Sequence, residues 1–192
     1  MTGEPRGVSP RILPHPHPGA YAPRLAQHES ACMIRTATAH DVPAIARLIR
    51  ALAEYEKLSS SVVLDEARLR QHLFGPRPFA EVLLAEEAGE VIGFALFFHN
   101  YSTFLAKPGI YLEDLFVLPN ERGQGHGKAL LAAVARIAVE RGCGRLEWAV
   151  LNWNDLAIQF YNRLGAEPLS EWGLYRLRGE ALAKLGQTQA PG

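Results

Sequence analysis

Residues 112–139 read LEDLFVLPNERGQGHGKALLAAVARIAV, and the middle of that stretch decides the fold. A strand-like apolar run ends at Pro119, and a helix-like run with Leu130, Val134, Ile137 and Ala138 on one face follows it. Between them stand Arg122, Gly123, Gln124, Gly125, His126, Gly127 and Lys128. Glycine has the most backbone freedom to lose in regular structure, so three in five positions imply that something must come close to the backbone there.

A strand, a turn of N–H groups with no side chains in the way and the positive end of a helix make an anion site. Arg122 and Lys128 add charge beside it. The ligand expected is a pyrophosphate, and the alternative is a glycine-rich connection with no ligand. Two familiar phosphate loops fail against the residues. A Walker A loop needs Gly five positions before the Gly-Lys pair and Ser or Thr after it, where Arg122 and Ala129 stand. The dinucleotide fingerprint Gly-x-Gly-x-x-Gly meets Lys128 or Leu130 at its third glycine.

Outward from the turn, MIRTAT at residues 33–38 predicts a short strand, and Asp41 is expected to cap a helix with Pro43 in its first turn. That helix carries Ile45, Leu48, Ile49 and Leu52 at helical spacing to about Glu54. A second helix is predicted over Asp65 to Phe74, stopped by Gly75 and Pro76. FAEVLLAEE and EVIGFALFFH read as two strands of a hairpin turning at Gly89, and IYLEDLFVL as a third. The helix after the glycines closes at Gly142; then come a strand in RLEWAVL, a helix over Asn154 to Leu164 and a last strand in GLYRLRG. Antiparallel strands first and a β-α-β crossover later predict a mixed α/β domain over residues 33–186.

The composition excludes much. Twenty basic and twenty acidic residues cancel, so neither nucleic acid nor a membrane surface is expected as a partner. No apolar run approaches the roughly 18 residues of a membrane helix. Cys32 and Cys143 have no zinc-type spacing, so no metal or disulfide is expected, and a reducing cytoplasm fits. Six of the thirteen prolines fall in the first 23 positions, so residues 1–32 read as an extended or disordered extension, and the natural start is placed at Met33. His126 is expected to be an exposed spacer in its turn.

Arg-x-x-Gly-x-Gly at Arg122, Gly125 and Gly127, directly after an apolar strand, resembles the acetyl-coenzyme A pyrophosphate loop of the GNAT N-acetyltransferase superfamily. YLEDLFVLPNERGQGHG and LNWNDLAIQFYNRLGA, with LAEYEKL and IRTAT more weakly, resemble the diamine (spermidine/spermine) and thialysine acetyltransferases within it. The resemblance implies the GNAT fold: a mostly antiparallel sheet whose central parallel strands splay, with flanking helices. It implies a pantetheine arm along Leu115, Phe116 and Val117, the pyrophosphate on Arg122 to Lys128, and further coenzyme contacts at Asn154, Asp155, Leu156, Ala157 and Tyr161.

Acetyl transfer to an amine needs a neutral nitrogen, and a free alkylamine has a pKa near about 10.4, so a base must take its proton. By the family match Tyr161 is the general acid. Glu113 is read as the base, and the Leu115 N–H as the oxyanion donor. Neighbours on a strand face opposite ways, so Glu113 and Asp114 share a face only if the strand bulges. Tyr55, Glu56, Glu113, Asp114, Glu147, Trp148 and Ala149 match the acceptor side, and three of the acids suit a cationic amine. Where the polyamine enzymes carry adjacent glutamates before the last strand, this chain has SEWGLY, which leaves a lysine-like, thialysine-like or smaller amine open. The subfamily implies a homodimer. A protein or peptide acetyltransferase and a silent coenzyme A-binding module stay open as alternatives.

Overall fold

A computed structural model describes residues 32–188; the Pro-rich extension expected at the N-terminus lies almost wholly outside them. Five strands run β1 (Met33–Thr36), β2 (Glu81–Glu87), β3 (Glu90–Ser102), β4 (Lys107–Val117) and β5 (Leu146–Trp148), in that order across one sheet. The first four pair antiparallel and β5 joins β4 in parallel, the mixed sheet that the order of elements predicted.

Alternation along the strands divides the core into two layers. Leu83, Ala85, Ala95, Phe97 and Leu112 face α3 (His126–Glu140), which answers with Leu130, Leu131 and Val134. Val82, Leu84, Phe94 and Phe116 face the other way, under α1 (Val42–Tyr55) and α2 (Glu66–Phe74), and meet Ile45, Leu48 and Leu73 there. The Asp65 carboxylate caps α2 by accepting from the Arg68 N–H at 2.9 Å.

Two expectations are corrected. Asp41 does not cap α1 with its side chain; its carboxylate accepts from the Thr38 N–H (2.7 Å) and from both terminal nitrogens of Arg35 (2.8 and 2.9 Å). A bidentate charged pair outcompetes a neutral cap, and it closes a 3-10 turn, Ala39–Asp41, ahead of the helix. The last strand is also absent. Residues 172–178 belong to no helix or strand and lead into α5 (Gly179–Gly186), while Tyr175 stands 96% exposed. Leu174, Tyr175 and Leu177 stay exposed and the segment pairs with neither outer edge of the sheet, β1 or β5.

Candidate active site

The sheet is broken open at β4. On β3 Leu96 and Phe97 are neighbours, yet their partners Asp114 and Leu112 are two residues apart, so Glu113 is the extra residue of a β-bulge. The bulge changes the parity of the strand: Ile110 and Leu112 point into the α3 layer, whereas Phe116 points into the α1 layer. The condition under which Glu113 and Asp114 both reach one site is therefore met. Parallel pairing to β5 stops at Leu112 with Trp148, and beyond it a cleft of about 460 Å³ opens.

The cleft's back wall is bare backbone. The Leu118 N–H donates to Ile92 O on β3 at 2.9 Å, so alternation turns the N–H groups of Val117 and Leu115 away from β3, into the split. Below them is the glycine turn. Gly123 and Gly125 adopt φ of +81° and +94°, and Gly125 forms the N-cap of α3 in a left-handed conformation closed to most other residues. Gly127 differs: its φ is ordinary, and a Cβ there would meet only a Val117 methyl at 3.9 Å. Nothing in the packing demands that glycine, so the bare backbone faces the cleft for another reason.

The walls come from α1 and from α4 (Asp155–Arg163). The Tyr55 hydroxyl donates to Asn154 Oδ1 at 3.1 Å, and the same oxygen caps α4 by accepting from the Ala157 N–H at 3.2 Å. Arg122 is tethered through Nε to Val117 O (3.0 Å), with its guanidinium 4.2 Å from the centre of the Tyr55 ring. Tyr55, matched in sequence to the acceptor side, thus stands among the residues matched to the coenzyme. Tyr161 packs on Trp148 (ring centroids 4.8 Å) and on Phe160 (5.2 Å).

The acids Glu56, Glu113 and Asp114 line the cleft. Burial, and then the charges of Glu113 and Glu56, push the Asp114 carboxyl up to about 7. Burial raises Glu56 as well, and burial with the Glu56 charge pushes the Tyr161 phenol up to about 12. Glu113 itself is exposed at the bulge. At neutral pH the site therefore holds a phenol with its proton firmly on and a carboxyl poised between its two forms.

Most of the residues expected at the site line this one cleft: Glu56, Glu113 and Asp114, Leu115 to Val117, Arg122, Gly123, Gly125 to Lys128, Trp148 and Ala149, Asn154, Leu156, Ala157 and Tyr161, with Tyr55. Three do not. Glu147 turns away to accept from Asn100 Nδ2 and lie beside Arg145 Nε, both at 2.9 Å. Gln124 donates to Glu121, and Asp155 is exposed at the start of α4. His126 is corrected from an exposed spacer to a buried residue, since it opens α3 and lies under the strand ends, 6% exposed. Leu52, Glu121, Val150, Leu151, Phe160 and Arg163 line the cleft without having been expected there. Phe160 was findable, one position before Tyr161 and four after Leu156 on the same helix face.

A sequence profile of the Acetyltransferase (GNAT) family matches residues 44–166, which span the cleft. The chain is 44% identical over 164 residues to a thialysine N-epsilon-acetyltransferase of Bos taurus, covering 80% of this chain and 96% of that one. It is 37% identical to an L-ornithine N5-acetyltransferase of Arabidopsis thaliana, covering 81% and 88%. Among solved structures, an integron cassette protein from the mobile metagenome of V. cholerae superposes with a TM-score of 0.70 at 27% identity, covering 82% of this chain and 98% of the other. The bulged strand, the split sheet and the glycine turn thus lie within a region whose likeness to known acetyltransferases runs almost end to end, and the chain belongs to the acetyltransferase (GNAT) family of acyltransferase enzymes.

Proposed function

We propose that the protein transfers the acetyl group of acetyl-coenzyme A to the primary amine of a small cationic acceptor, by direct attack within a ternary complex. The observation that carries this reading is that one cleft brings together the Asp114 carboxyl, the Tyr161 phenol and the strand Leu115–Val117, whose outward N–H groups are not used by β3. GNAT enzymes use acetyl-coenzyme A, and its thioester supplies the carbonyl to be attacked. The residues fit that co-substrate. The Val117 N–H offers a strand-like hydrogen bond to an amide-bearing arm, and the turn with its unexplained Gly127 offers donors to a pyrophosphate at a helix N-terminus.

On this reading Glu113, exposed at the mouth, draws in the ammonium group, and Asp114 accepts its proton. The proton role thus moves one residue from the Glu113 that the sequence suggested, because Asp114 is the partly buried member of the pair. The freed nitrogen lone pair forms the new C–N bond, the Leu115 N–H stabilises the oxyanion, and Tyr161 gives its proton to the departing sulfur. The relatives named for thialysine and L-ornithine support a single side-chain amine over a long polyamine, in line with Trp172 and Gly173 standing where the polyamine enzymes carry acids.

A homodimer belongs to the same proposal. Trp172, Leu174, Tyr175, Leu177, Leu182 and Leu185 are all exposed in one chain, an apolar run that a second copy would cover. A monomer mass by light scattering at micromolar concentration would remove that part. Among the described residues no helix is long and apolar enough to cross a membrane, and we place the enzyme in a reducing compartment because its two cysteines are unpaired.

The deciding experiment follows thiol release from acetyl-coenzyme A with thialysine, lysine, L-ornithine, 1,3-diaminopropane, spermidine and no amine. Amine-dependent release, strongest with the amino acids, is expected. No release with any amine, while coenzyme A still raises the melting temperature, would overturn the acceptor assignment and favour a peptide acceptor or a silent binding module.

A further inference from the structure

Around the glycine turn the acetyl-transfer reading leaves three side chains unused, two of which, Glu121 and His126, line the cleft. Glu87 ends β2, Glu121 lies in the 3-10 turn Pro119–Glu121 ahead of the glycines, and His126 opens α3 behind them. One oxygen from each carboxylate and one imidazole nitrogen all lie within 4.8 Å of one another. His126 Nε2 is buried without a hydrogen-bond partner and points at Glu87 Oε2, 3.6 Å away, with the side chain 7% exposed. A buried ring nitrogen with no partner carries a desolvation penalty that folding ordinarily avoids.

We propose that Glu87, Glu121 and His126 form a binding site for a divalent transition metal of the zinc class. The separation of 3.6 Å is too long for an N–H···O hydrogen bond. It suits two ligands of one ion, since donors at about 2.0–2.2 Å from zinc and at tetrahedral angles stand roughly 3.3–3.6 Å apart. One imidazole and two carboxylates are a borderline-hard donor set that takes Zn²⁺, Co²⁺ or Mn²⁺, whereas Ca²⁺ and Mg²⁺ want oxygen alone. Gln124 Nε2 donates to Glu121 at 3.2 Å, the kind of outer contact that orients a ligating carboxylate. The three ligands come from both ends of the glycine turn and from the sheet beneath it, so a bound ion would pin the turn to the sheet. None of this depends on what the turn binds.

The test is titration of the metal-free, untagged full chain with Co²⁺, read by visible absorption, with Zn²⁺ then added as competitor. One Co²⁺ per chain, displaced by Zn²⁺ and without the near-ultraviolet band of a cobalt–thiolate bond, is expected. Glu87→Gln should weaken binding at least about tenfold, since even outer-shell changes at metal sites bring that loss. A second measurement needs no variant: Co²⁺ should broaden the His126 ring signals in the NMR spectrum, and Zn²⁺ should raise the melting temperature. A thiolate band, equal binding by Glu87→Gln, or a His126 ring that titrates freely between its two carboxylates regardless of metal would overturn the site and leave an ion pair in its place.

Discussion

Replacing Asp114 by Asn tests the electrostatics of the cleft where they are most perturbed. In the folded chain the Asp114 carboxyl stands at about 7, against an ordinary aspartate value of 3.8. Between those values the folded protein holds a proton that the unfolded chain has released, so stability falls as pH rises through the window from about 4 to about 7 and is level above it. Asparagine has the same shape and no such ionisation. At about 1.36 kcal/mol per pH unit, the variant's advantage over the parent should grow by up to roughly 3 kcal/mol between about pH 5 and pH 8. Urea unfolding of the coenzyme-free protein at both pH values measures this directly. The same variant should lose about 10²- to 10⁴-fold in kcat/KM for the amine, the span ascribed to a positioned acid or base. An advantage equal at the two pH values would show that Asp114 ionises like a solvated carboxylate. Unchanged turnover would remove it from the chemistry.

Tyr161→Phe should lower kcat by about 10²-fold or more while leaving coenzyme affinity within about twofold, because the ring contacts to Trp148 and Phe160 survive; a large loss of affinity instead would make Tyr161 a binding residue. Gly125→Ala, at φ of +94°, should cost about 1 kcal/mol of stability and weaken coenzyme A measurably by calorimetry. A variant as stable as the parent would mean that the turn relaxes easily. Arg35 holds the Asp41 carboxyl well below the usual carboxylate range, a depressed value whose stabilisation is complete above about pH 4 and is lost as the pH drops through the folded-state value. Asp41→Asn should therefore lower the melting temperature at neutral pH and flatten the acid limb of the stability profile; an unchanged acid limb would put the origin of acid unfolding elsewhere.

Local pattern made much of this site legible. The glycine spacing and the change of period around it located the turn, and helical spacing placed Tyr161 and Asn154 on one element. What escaped depended on partners distant in sequence. Asp41 looked like a helix cap because Asp before Pro so often is one, and only the arrival of Arg35 from β1 diverted its carboxylate. His126 sits in a turn of small polar residues that reads as solvent-exposed, yet the end of β2, some forty positions earlier, covers it with Glu87. The run GLYRLRG alternates like a strand, yet Leu174, Tyr175 and Leu177 stay exposed, because periodicity does not supply a partner strand.

The bulge at Glu113 links the two halves of the chemistry. A strand regular through Glu113 would keep the parity of Leu112, turning Asp114 into the α3 layer and the Leu115 N–H back toward β3. One inserted residue changes the parity after Leu112, so the carboxyl rises under α1 while the next N–H faces the gap. The same insertion bends β4 away from β5, so the space for a ligand and the groups that act on it have one cause. Deleting Glu113 should accordingly do more than remove a charge. It would make Leu112 and Asp114 neighbours in a regular strand, Leu112 still in the α3 layer and Asp114 still on the α1 side, but it would remove the bend and close the split by extending the parallel ladder. The deletion should abolish coenzyme A binding as well as turnover, whereas Glu113→Gln should spare binding. If the deletion variant folds and still binds coenzyme A with parental affinity, the cleft does not owe its existence to the bulge.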